Sequence, residues 1–397
     1  MSQNKKLVPK RRFKGYNNEW KLLSRIGDYS EILTGGTPST QEKSFWQPKE
    51  ILWMSSGEVH RKRILYTDNM ISKKGFENSS ARWVKENSIL IALAGQGKTR
   101  GTVAINHIPI TTNQSIASIT PSKILNSEFL FQNFDMRYEE LRTISSGDGT
   151  RGGLNKKIIS NMNIITPSLK EQTQIGEFFK KLDTLIQTQQ KKLEKTKTLK
   201  SAYLAEMFPC DGELKPKLRF NGFCSDWQFE KIDNVANRYN NLRIPITASN
   251  RMPGSTPYYG ANGIQDYVKG FTHDGEYILV AEDGANDLLN YPVQHVKGKI
   301  WVNNHAHVLQ GKINICDNKF LMYAFKCINM EPYLVGGGRA KLNSDVMMNI
   351  IILAPDIREQ TKIGNFFKLL DQKIALEQRK LEKLNNIKQA YLNEMFV

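Results

Sequence analysis

The C-terminal segment of the chain repeats an earlier segment without a gap. Leu342 to Phe396 matches Leu154 to Phe208 at a constant offset of 188 residues, and roughly half of the aligned positions are identical. The strings EQT, IG, FFK and LD recur in order within Glu171–Asp183 and Glu359–Asp371. A repeat of this length predicts two copies of one structural unit, and hence an approximate two-fold axis within one chain.

Weaker matches extend upstream of this repeat, while the sequence between them diverges. They pair Pro9–Tyr16 with Pro216–Phe223, Trp20 with Trp227, Asn113-Gln114 with Asn304-His305, and Gly149–Arg151 with Gly337–Arg339. Each half is therefore interpreted as a variable body of roughly 130–145 residues followed by a shared helical segment. The predicted boundaries are residues 1–153 and 211–341 for the bodies, and 154–210 and 342–397 for the helical spacers.

Composition limits the class of protein. The 397 residues carry a formal net charge of +17 and are 40% hydrophobic, which is enough for folded cores. A basic excess on globular bodies favours a polyanionic partner, although a plain basic protein is the alternative. The four cysteines lack metal-ligand spacing, and no apolar run approaches the length needed to span a bilayer. We therefore expect a cytoplasmic protein with no membrane contact.

The repeated segments predict two long helices. Ser168 with Glu171, and Asp356 with Glu359, have the spacing of helix-capping residues. Apolar residues then recur at alternating spacings of four and three, which indicates a heptad seam on a helix of about 40 residues and about 60 Å. Such a helix is longer than its own body, so the internal two-fold axis predicts an antiparallel pair.

Further apolar residues lie outside this seam. We predict that they bind partner subunits: Phe178, Leu185, Phe366 and Leu369.

One glycine-rich segment imitates a phosphate-binding loop. Ala92–Thr99 follows the strand-like run Ile89–Leu93, but a nucleotide site needs a helix directly afterwards. The chain instead continues with the strand-like run Arg100–Ile105. We therefore predict that Lys98, Thr99 and Arg100 contact nucleic-acid phosphates, with a plain hairpin turn as the alternative.

Other candidate DNA contacts are polar, basic or aromatic loop residues. The aligned amides and imidazole can present donors and acceptors to base edges, and the matching arginines can clamp a phosphate backbone. His305 and His307 could also form a metal pair, but no third ligand has a suitable spacing. The remaining candidates are Asn113, Gln114, Arg151, Arg251, Tyr258, Tyr259, Asn262, Asn304, His305, Arg339 and Lys341.

The chain resembles the specificity subunits of type I restriction–modification systems over essentially its whole length. The resemblance is carried by the alternation of variable and repeated segments. Local strings also carry it: GGTPST at Gly35–Thr40, GKTRG at Gly97–Gly101, TNQSIA at Thr112–Ala117 and NNHAHVL at Asn303–Leu309. The second body departs from the pattern, because Gly254–Gly260 replaces GGTPST.

The resemblance implies a fold and a function. The fold is two α/β (α+β) target-recognition domains joined by two long helices that form an antiparallel coiled coil. Each domain would read one half of an asymmetric, bipartite site in double-stranded DNA. The helices would set the gap and dock two methyltransferase subunits, to which endonuclease–translocase subunits add. The chain would bind no cofactor and perform no catalysis, since S-adenosylmethionine, ATP and magnesium would belong to those partners. The alternatives are a phosphate-loop ATPase acting on DNA and a coiled-coil protein outside any restriction system.

Overall fold

The computed structural model describes residues 6–95, 97–144, 153–210, 212–336 and 340–397. The chain forms two compact units. The first contains the chain up to Gln189 together with Lys380–Val397, and the second contains Gln190–Arg379. Two 39-residue helices, Leu169–Met207 and Ile357–Met395, each contribute one part to both units.

The helices are short apart from these two. In chain order they are α1 (Lys73–Glu77), α2 (Ser127–Met136), α3 (Tyr138–Thr143), α4 (Lys156–Ser160), α5 (Leu169–Met207), α6 (Ile232–Val235), α7 (Asn318–Cys327), α8 (Ser344–Met348) and α9 (Ile357–Met395). The strands of the first unit are β1 (Lys21–Leu23), β2 (Ser30–Thr34), β3 (Ile51–Met54), β4 (Arg63–Ile64), β5 (Asn69–Ile71), β6 (Trp83–Val84), β7 (Ile89–Ala92), β8 (Val103–Asn106), β9 (Ile110–Thr112), β10 (Ile116–Pro121) and β11 (Ile164–Thr166). Those of the second are β12 (Gln228–Lys231), β13 (Ala236–Arg238), β14 (Pro253–Gly260), β15 (Gly263–Val268), β16 (His273–Ala281), β17 (Val293–Val302), β18 (Ala306–Gly311), β19 (Leu334–Val335), β20 (Lys341–Leu342) and β21 (Ile351–Ala354).

Both bodies are built on the same run of strands. The main sheet of the first body has the order β2-β10-β7-β8-β4, and that of the second has β13-β18-β16-β17-β14-β15. The first four strands therefore correspond, although their sequences have diverged. All four residues of β7 and of β8 are buried, because α2 covers one face of the sheet and the loops around Met54 and Val59 cover the other. The second body encloses a comparable core around Phe320.

The long helices form the predicted antiparallel coiled coil. In the first unit the start of α5 lies against the end of α9, with the rings of Phe178 and Tyr391 5.1 Å apart. In the second unit the end of α5 lies against the start of α9, with Tyr203 and Phe366 5.0 Å apart. The two contacts use equivalent residues of the repeat, so the pairing follows the internal two-fold symmetry.

An aromatic cluster joins each body to the helix pair. In the first unit Phe396 stacks on Phe129, at 5.2 Å between centroids, and Trp20 packs on both rings. In the second unit Phe208 stacks on Phe320 at 5.6 Å beside Trp227. Aromatic rings in these arrangements bury large apolar areas. Each body therefore completes its core with the end of the long helix that belongs to the other repeat.

The capping prediction is confirmed for Asp356 and wrong for the two glutamates. Asp356 does cap α9, since its carboxylate accepts from the backbone N–H groups of Arg358 and Glu359. Glu171 and Glu359, however, do not fold back on their caps. Glu171 accepts two hydrogen bonds from Arg12 at 2.6 and 2.8 Å, and Glu359 accepts two from Arg219 at 2.6 and 2.7 Å. Both glutamates are fully buried, so the arginine of each upstream motif neutralises them.

Candidate nucleic-acid interface

Three loops of the first body meet at one edge of its main sheet. β2 and β7 end at this edge and β10 begins there, as the antiparallel pairing requires. The backbone N–H of Leu93 donates to Ser115, and that of Gly36 donates to Thr112. The hydroxyl of Thr37 donates to the side chain of Gln114 at 2.6 Å. The loops that contain GGTPST, the glycine-rich segment and TNQS therefore form one continuous surface.

The glycine-rich loop connects two antiparallel strands, β7 and β8, so it is not a phosphate-binding loop of a nucleotide site. Gly97 and Gly101 have positive φ values of 61° and 81°, which L side chains rarely adopt. The backbone turn presents Lys98 as an exposed residue. Arg100 is half-buried, and its guanidinium donates to the carbonyl of Arg142 at 2.6 Å. Of the two basic side chains, Lys98 is therefore the more accessible to a phosphate.

The corresponding loop of the second body is acidic. It follows β16, and its first residue, Glu282, donates its backbone N–H to His305 just as Leu93 donates to Ser115. The carboxylate of Glu282 accepts from Arg243 at 2.6 Å and lies 3.2 Å from Lys341. Burial acts to raise the pKa of Glu282, but the hydrogen bond from Arg243 and the nearby positive charges outweigh it and lower that pKa. Glu282 therefore remains ionised.

His305 and Lys341, two predicted DNA contacts, are thus partners of acidic residues. His305 is hydrogen-bonded through Nδ1 to Asp283. Its backbone belongs to the turn that precedes β18, and its side chain is half-buried. Lys341 is exposed but is paired with Glu282. Both side chains hold the acidic loop in place, which leaves them less available to a ligand.

The sequence alignment of the two turns is wrong by one residue. Asn113 accepts the N–H of Ser115 through its side chain, and Asn303 accepts the N–H of His305 in the same way. Asn113 therefore corresponds to Asn303, rather than to Asn304, because each forms the side-chain turn that starts its loop. As a result, Gln114 and Asn304 become equivalent. Both are exposed amides at the tip of their turn, where they can reach a ligand.

Two predicted aromatic contacts are buried instead. Tyr258 is 1% exposed, and its hydroxyl bonds both the N–H and the carbonyl of Ile246. Tyr259 is 9% exposed within the core of the second sheet. Arg251 lies over the ring of Tyr258 at 4.2 Å. These three residues therefore stabilise β14 and do not line a groove. Both rings are buried although they are adjacent in sequence, and the pairing of β14 with β15 is irregular between them.

Asn262 supports the acidic loop from a neighbouring turn. Its amide donates to the carbonyl of Gly284 at 2.8 Å and accepts from the N–H of Asn286 at 3.0 Å. The residue is exposed, so it stays a candidate contact while it also orders the loop. Thr99 is half-buried in the first body. Arg151 and Arg339 lie outside the residues that the structure describes.

The histidine pair does not form a metal site. His307 is fully buried, and its Nε2 donates to the carbonyl of Leu342 while Nδ1 faces the amide of Asn240. Within the described ranges no group of three His, Cys, Asp or Glu residues is placed to hold a metal ion. In the same ranges no helix is long and apolar enough to cross a membrane.

The predicted partner-binding residues fall into two classes. Phe178 and Phe366 are half-buried, since they pack on Tyr391 and Tyr203 of the opposite helix. Each ring therefore packs within the helix pair, and its assignment to a partner surface stays a prediction that concerns only its exposed part. Leu185 and Leu369 are 56% and 65% exposed on the long helices. These two leucines remain available to a partner.

Two residues that order the candidate interface were not predicted from the sequence. Thr37 lies within GGTPST, and its contact with Gln114 could have been suspected from that string. Arg243 donates to Glu282 and to the carbonyl of Ala306 at 2.9 Å. Nothing in the sequence around Arg243 marks it, because its role depends on a loop folded from a distant part of the chain.

The comparison with known families agrees with this architecture. The model described as "Type I restriction modification DNA specificity domain" matches residues 17–197 and 224–386. A protein of Haemophilus influenzae described as a type I restriction enzyme specificity subunit is 45% identical over 152 residues, which is 38% of each chain. The chain thus spans well under half of that relative in this match.

Other similarities cover nearly the whole chain. The MjaVIII specificity subunit of Methanocaldococcus jannaschii is 23% identical over 94% of this chain and 91% of its own. The crystal structure of a type I restriction–modification S subunit from M. genitalium superposes with a TM-score of 0.73 at 16% identity, covering 98% and 99% of the two chains. The fold is therefore shared with that subunit. Since the family model matches most of the sequence in two copies, the chain belongs to the family of type I restriction–modification DNA specificity subunits.

Proposed function

We propose that this chain is the DNA-specificity subunit of a type I restriction–modification complex, and that each body reads one half of a split, asymmetric site in duplex DNA. The observation that carries the proposal is the pair of matching loop edges with different chemistry. The loops of one edge carry the exposed residues Gln114 and Lys98, and those of the other carry the exposed Asn304 and an acidic segment. Two bodies of one fold with unlike loops suit two unlike half-sites.

The exposed amides are the best candidates for reading bases. Asn and Gln side chains can form two hydrogen bonds with adenine in the major groove, and each such pair contributes about 1–3 kcal/mol of discrimination. Gln114 and Asn304 lie at equivalent turn tips, so the same type of contact would occur once in each half-site. Lys98 would contact phosphate and contribute affinity without sequence preference.

The chain acts without catalysis of its own in this proposal. Two methyltransferase subunits would dock on the helical segments, and endonuclease–translocase subunits would add to them, in the cytoplasm. S-adenosylmethionine, ATP and magnesium would be bound by those partners. This division of labour rests on membership of the specificity family.

The test is co-expression with the cognate methyltransferase subunit, followed by sequencing of the modified genomic sites. We expect one split, asymmetric motif with the wild-type chain. Gln114→Ala should relax one half of the motif only, and Asn304→Ala should relax the other half only. A single continuous motif, or a palindrome, would contradict the proposal.

Lys98→Ala serves as the matched control in the same first-body loop edge. It should weaken DNA binding about equally on all sequences and reduce the salt dependence by roughly one charge, while the motif stays unchanged. If the coiled-coil scaffold alternative held instead, affinity for duplex DNA would be low and independent of salt. If the ATPase alternative held, the purified chain would hydrolyse ATP.

A further inference from the structure

A charged contact of the same form links the two long helices in each unit. In the first unit Asp183 of α5 accepts from Lys388 of α9 at 2.8 Å. In the second unit Asp371 of α9 accepts from Lys200 of α5 at 2.5 Å. The two aspartates are equivalent positions of the repeat, and so are the two lysines. We call Asp183 with Lys388, and Asp371 with Lys200, the helix clamps.

Each helix clamp also reaches the body of its own unit. Asp183 accepts a further hydrogen bond from the side chain of Gln132 in α2 at 2.8 Å. Asp371 accepts one from the hydroxyl of Tyr323 in α7 at 2.6 Å. Gln132 and Tyr323 are equivalent positions on the corresponding body helices. One carboxylate therefore joins three elements in each unit: α5, α9 and the helix that carries the body.

The surroundings of the two helix clamps differ. Asp183 also accepts from Arg63 at 2.8 Å, and Asp135 lies 3.8 Å from Lys388. In the second unit burial raises the pKa of Tyr323, and the hydrogen bond to Asp371 raises it further. Tyr323 is therefore a hydrogen-bond donor at any physiological pH. The first helix clamp is the more extensively connected one.

The charged residues of the helix clamps are mostly buried between α5 and α9, where burial of charge is unfavourable for stability. The lysine side chains are only 16% and 17% exposed, and that of Asp183 is 11% exposed. Lys200 and Lys388 fall at heptad seam positions where apolar residues would pack better. A polar residue at a single seam position specifies one register of a coiled coil, because every other register leaves its charge buried without a partner. The occurrence of this arrangement in both units suits that role.

We propose that Lys200 and Lys388 are positioning residues, which fix the axial register of α5 against α9 and thereby set the gap between the two half-sites. The register part of this inference concerns the helix pair alone. The gap part rests on the proposed function.

The experiment compares two double variants of the full chain. The clamp variant is Lys200→Met with Lys388→Met. The matched control is Lys195→Met with Lys383→Met, which removes the same charge from the same helices at exposed, equivalent positions. Spin labels are attached to Thr198→Cys and Lys373→Cys, both exposed, after the exposed native residues have been replaced by Cys210→Ser, Cys224→Ser and Cys327→Ser.

Electron–electron distance measurements then report the register directly. The wild type and the control should each give one narrow distance distribution. The clamp variant should give a broader distribution, because only apolar packing then holds the axial position of α5 against α9. Its Tm should be lower than that of the control, because methionine leaves the carboxylates of Asp183 and Asp371 without their lysine partners. One unchanged narrow distribution, with or without a lower Tm, would overturn the register inference.

Methylation provides the second measurement. Complexes with methyltransferase subunits are supplied with DNA whose gap is the native length, one base pair shorter or one base pair longer. The preference is the ratio of methylation rates on DNA with the native gap and on DNA with an altered gap. It should fall roughly tenfold in the clamp variant, the scale of one charge-assisted hydrogen bond per clamp. It should be unchanged in the control. An unchanged preference would overturn the gap inference. If the wild-type complex methylated no split site, the proposed function would be wrong. The spin-label distances would still test the register inference, because that inference concerns the helix pair alone.

Discussion

The side chain of Gln172 accepts a hydrogen bond from the backbone N–H of Asn126 at 2.9 Å. In the second unit Gln360 accepts the N–H of Asp317 at 3.0 Å. Each glutamine also donates to two carbonyls, one in the loop before the body helix and one in the proline before the long helix. The glutamine of the repeated EQT string therefore fastens the start of the body helix to the start of the long helix, in the same way in both units.

The glycine of the IG string permits this contact. A Cβ at Gly176 would lie 2.7 Å from Oδ1 of Asn126 and 2.9 Å from the backbone nitrogen of Phe129. A Cβ at Gly364 would meet Asp317 and Phe320 at the same distances. Gly176→Ala should destabilise the first unit, because overpacking costs about 1–3 kcal/mol and exceeds the gain of up to about 1 kcal/mol in helix propensity. Urea unfolding measures the net change.

Thr184→Ala, an exposed substitution in the same helix, is the control for helix propensity. It should leave the free energy of unfolding within about 0.5 kcal/mol of the wild type. Equal stability of the two variants would show that a methyl group at position 176 is accommodated, which would contradict the prediction.

Arg12 and Glu171 form a buried ion pair, so the effects of substituting them on the free energy of unfolding should be strongly non-additive. Arg12→Met leaves the fully buried carboxylate of Glu171 without a counter-charge, which costs about 3–5 kcal/mol. The pair Arg12→Met with Glu171→Met should recover most of that loss, since neither charge is then buried. A double-mutant cycle in urea tests this. Additive losses from the two single substitutions would contradict it.

His307 predicts how stability changes with pH. Burial lowers its pKa below the ordinary value of 6.5, and the attraction of Glu282 only partly compensates. Below about pH 6.5 the unfolded chain binds a proton at this position that the folded chain does not, so the free energy of unfolding falls as pH decreases. Above that pH both states are neutral there, and the contribution is constant. Chemical unfolding between pH 5 and 8 should show this dependence.

His307→Gln keeps a donor and an acceptor but does not titrate. The free energy of unfolding of this variant should depend less steeply on pH below 6.5 than that of the wild type. The slope should decrease by at most about 1.4 kcal/mol per pH unit, the contribution of one titrating group. A residual slope is expected, because burial also lowers the pKa of His107 and of His273. An unaltered slope in the variant would rule out His307 as a contributor.

The exposed leucines should affect partner binding without affecting folding. Leu185→Asp and Leu369→Asp change side chains that are more than half exposed, so Tm should stay within a few degrees of the wild type. Affinity for the methyltransferase subunit should fall about tenfold or more if these residues lie within its interface. Phe178→Asp and Phe366→Asp should instead lower Tm, since both rings pack inside the helix pair. Pull-down with unchanged recovery would exclude the leucines.

The long helices should act as a spacer of adjustable length. Inserting four residues before Lys195 lengthens α5 by about 6 Å, close to two base-pair steps. The gap of the recognised motif should change, while both half-sites stay the same. Methylome sequencing of the insertion variant measures this. A constant gap would exclude the helix as the spacer.

The repeat and the helices could be predicted from the sequence because both depend on local periodicity. The heptads indicated the seam of each helix, the internal two-fold repeat predicted the antiparallel pair, and β-branched residues after the glycine-rich loop indicated β8. The detailed roles of Gln172 and Glu171 could not be predicted, since their partners lie elsewhere in the chain. The one-residue shift between Asn113 and Asn304 was hidden for a different reason. Asn303 and Asn304 are adjacent, so residue identity could not choose between them, and the side-chain hydrogen bonds of the two turns do. Tyr258 was predicted to be a loop contact, but it lies in β14 and is buried, which depends on the packing of that strand.

The position of Phe396 affects the order in which the protein can fold during synthesis. The first unit draws this ring, together with Tyr391 and Leu392, into its core against Trp20 and Phe129. A nascent chain that carries the whole first body still lacks those residues until the last part of α9 has left the ribosome. The second unit, Gln190–Arg379, is continuous in the chain and can close its own core earlier. The first unit is therefore encoded first but is the last to receive all the residues of its core.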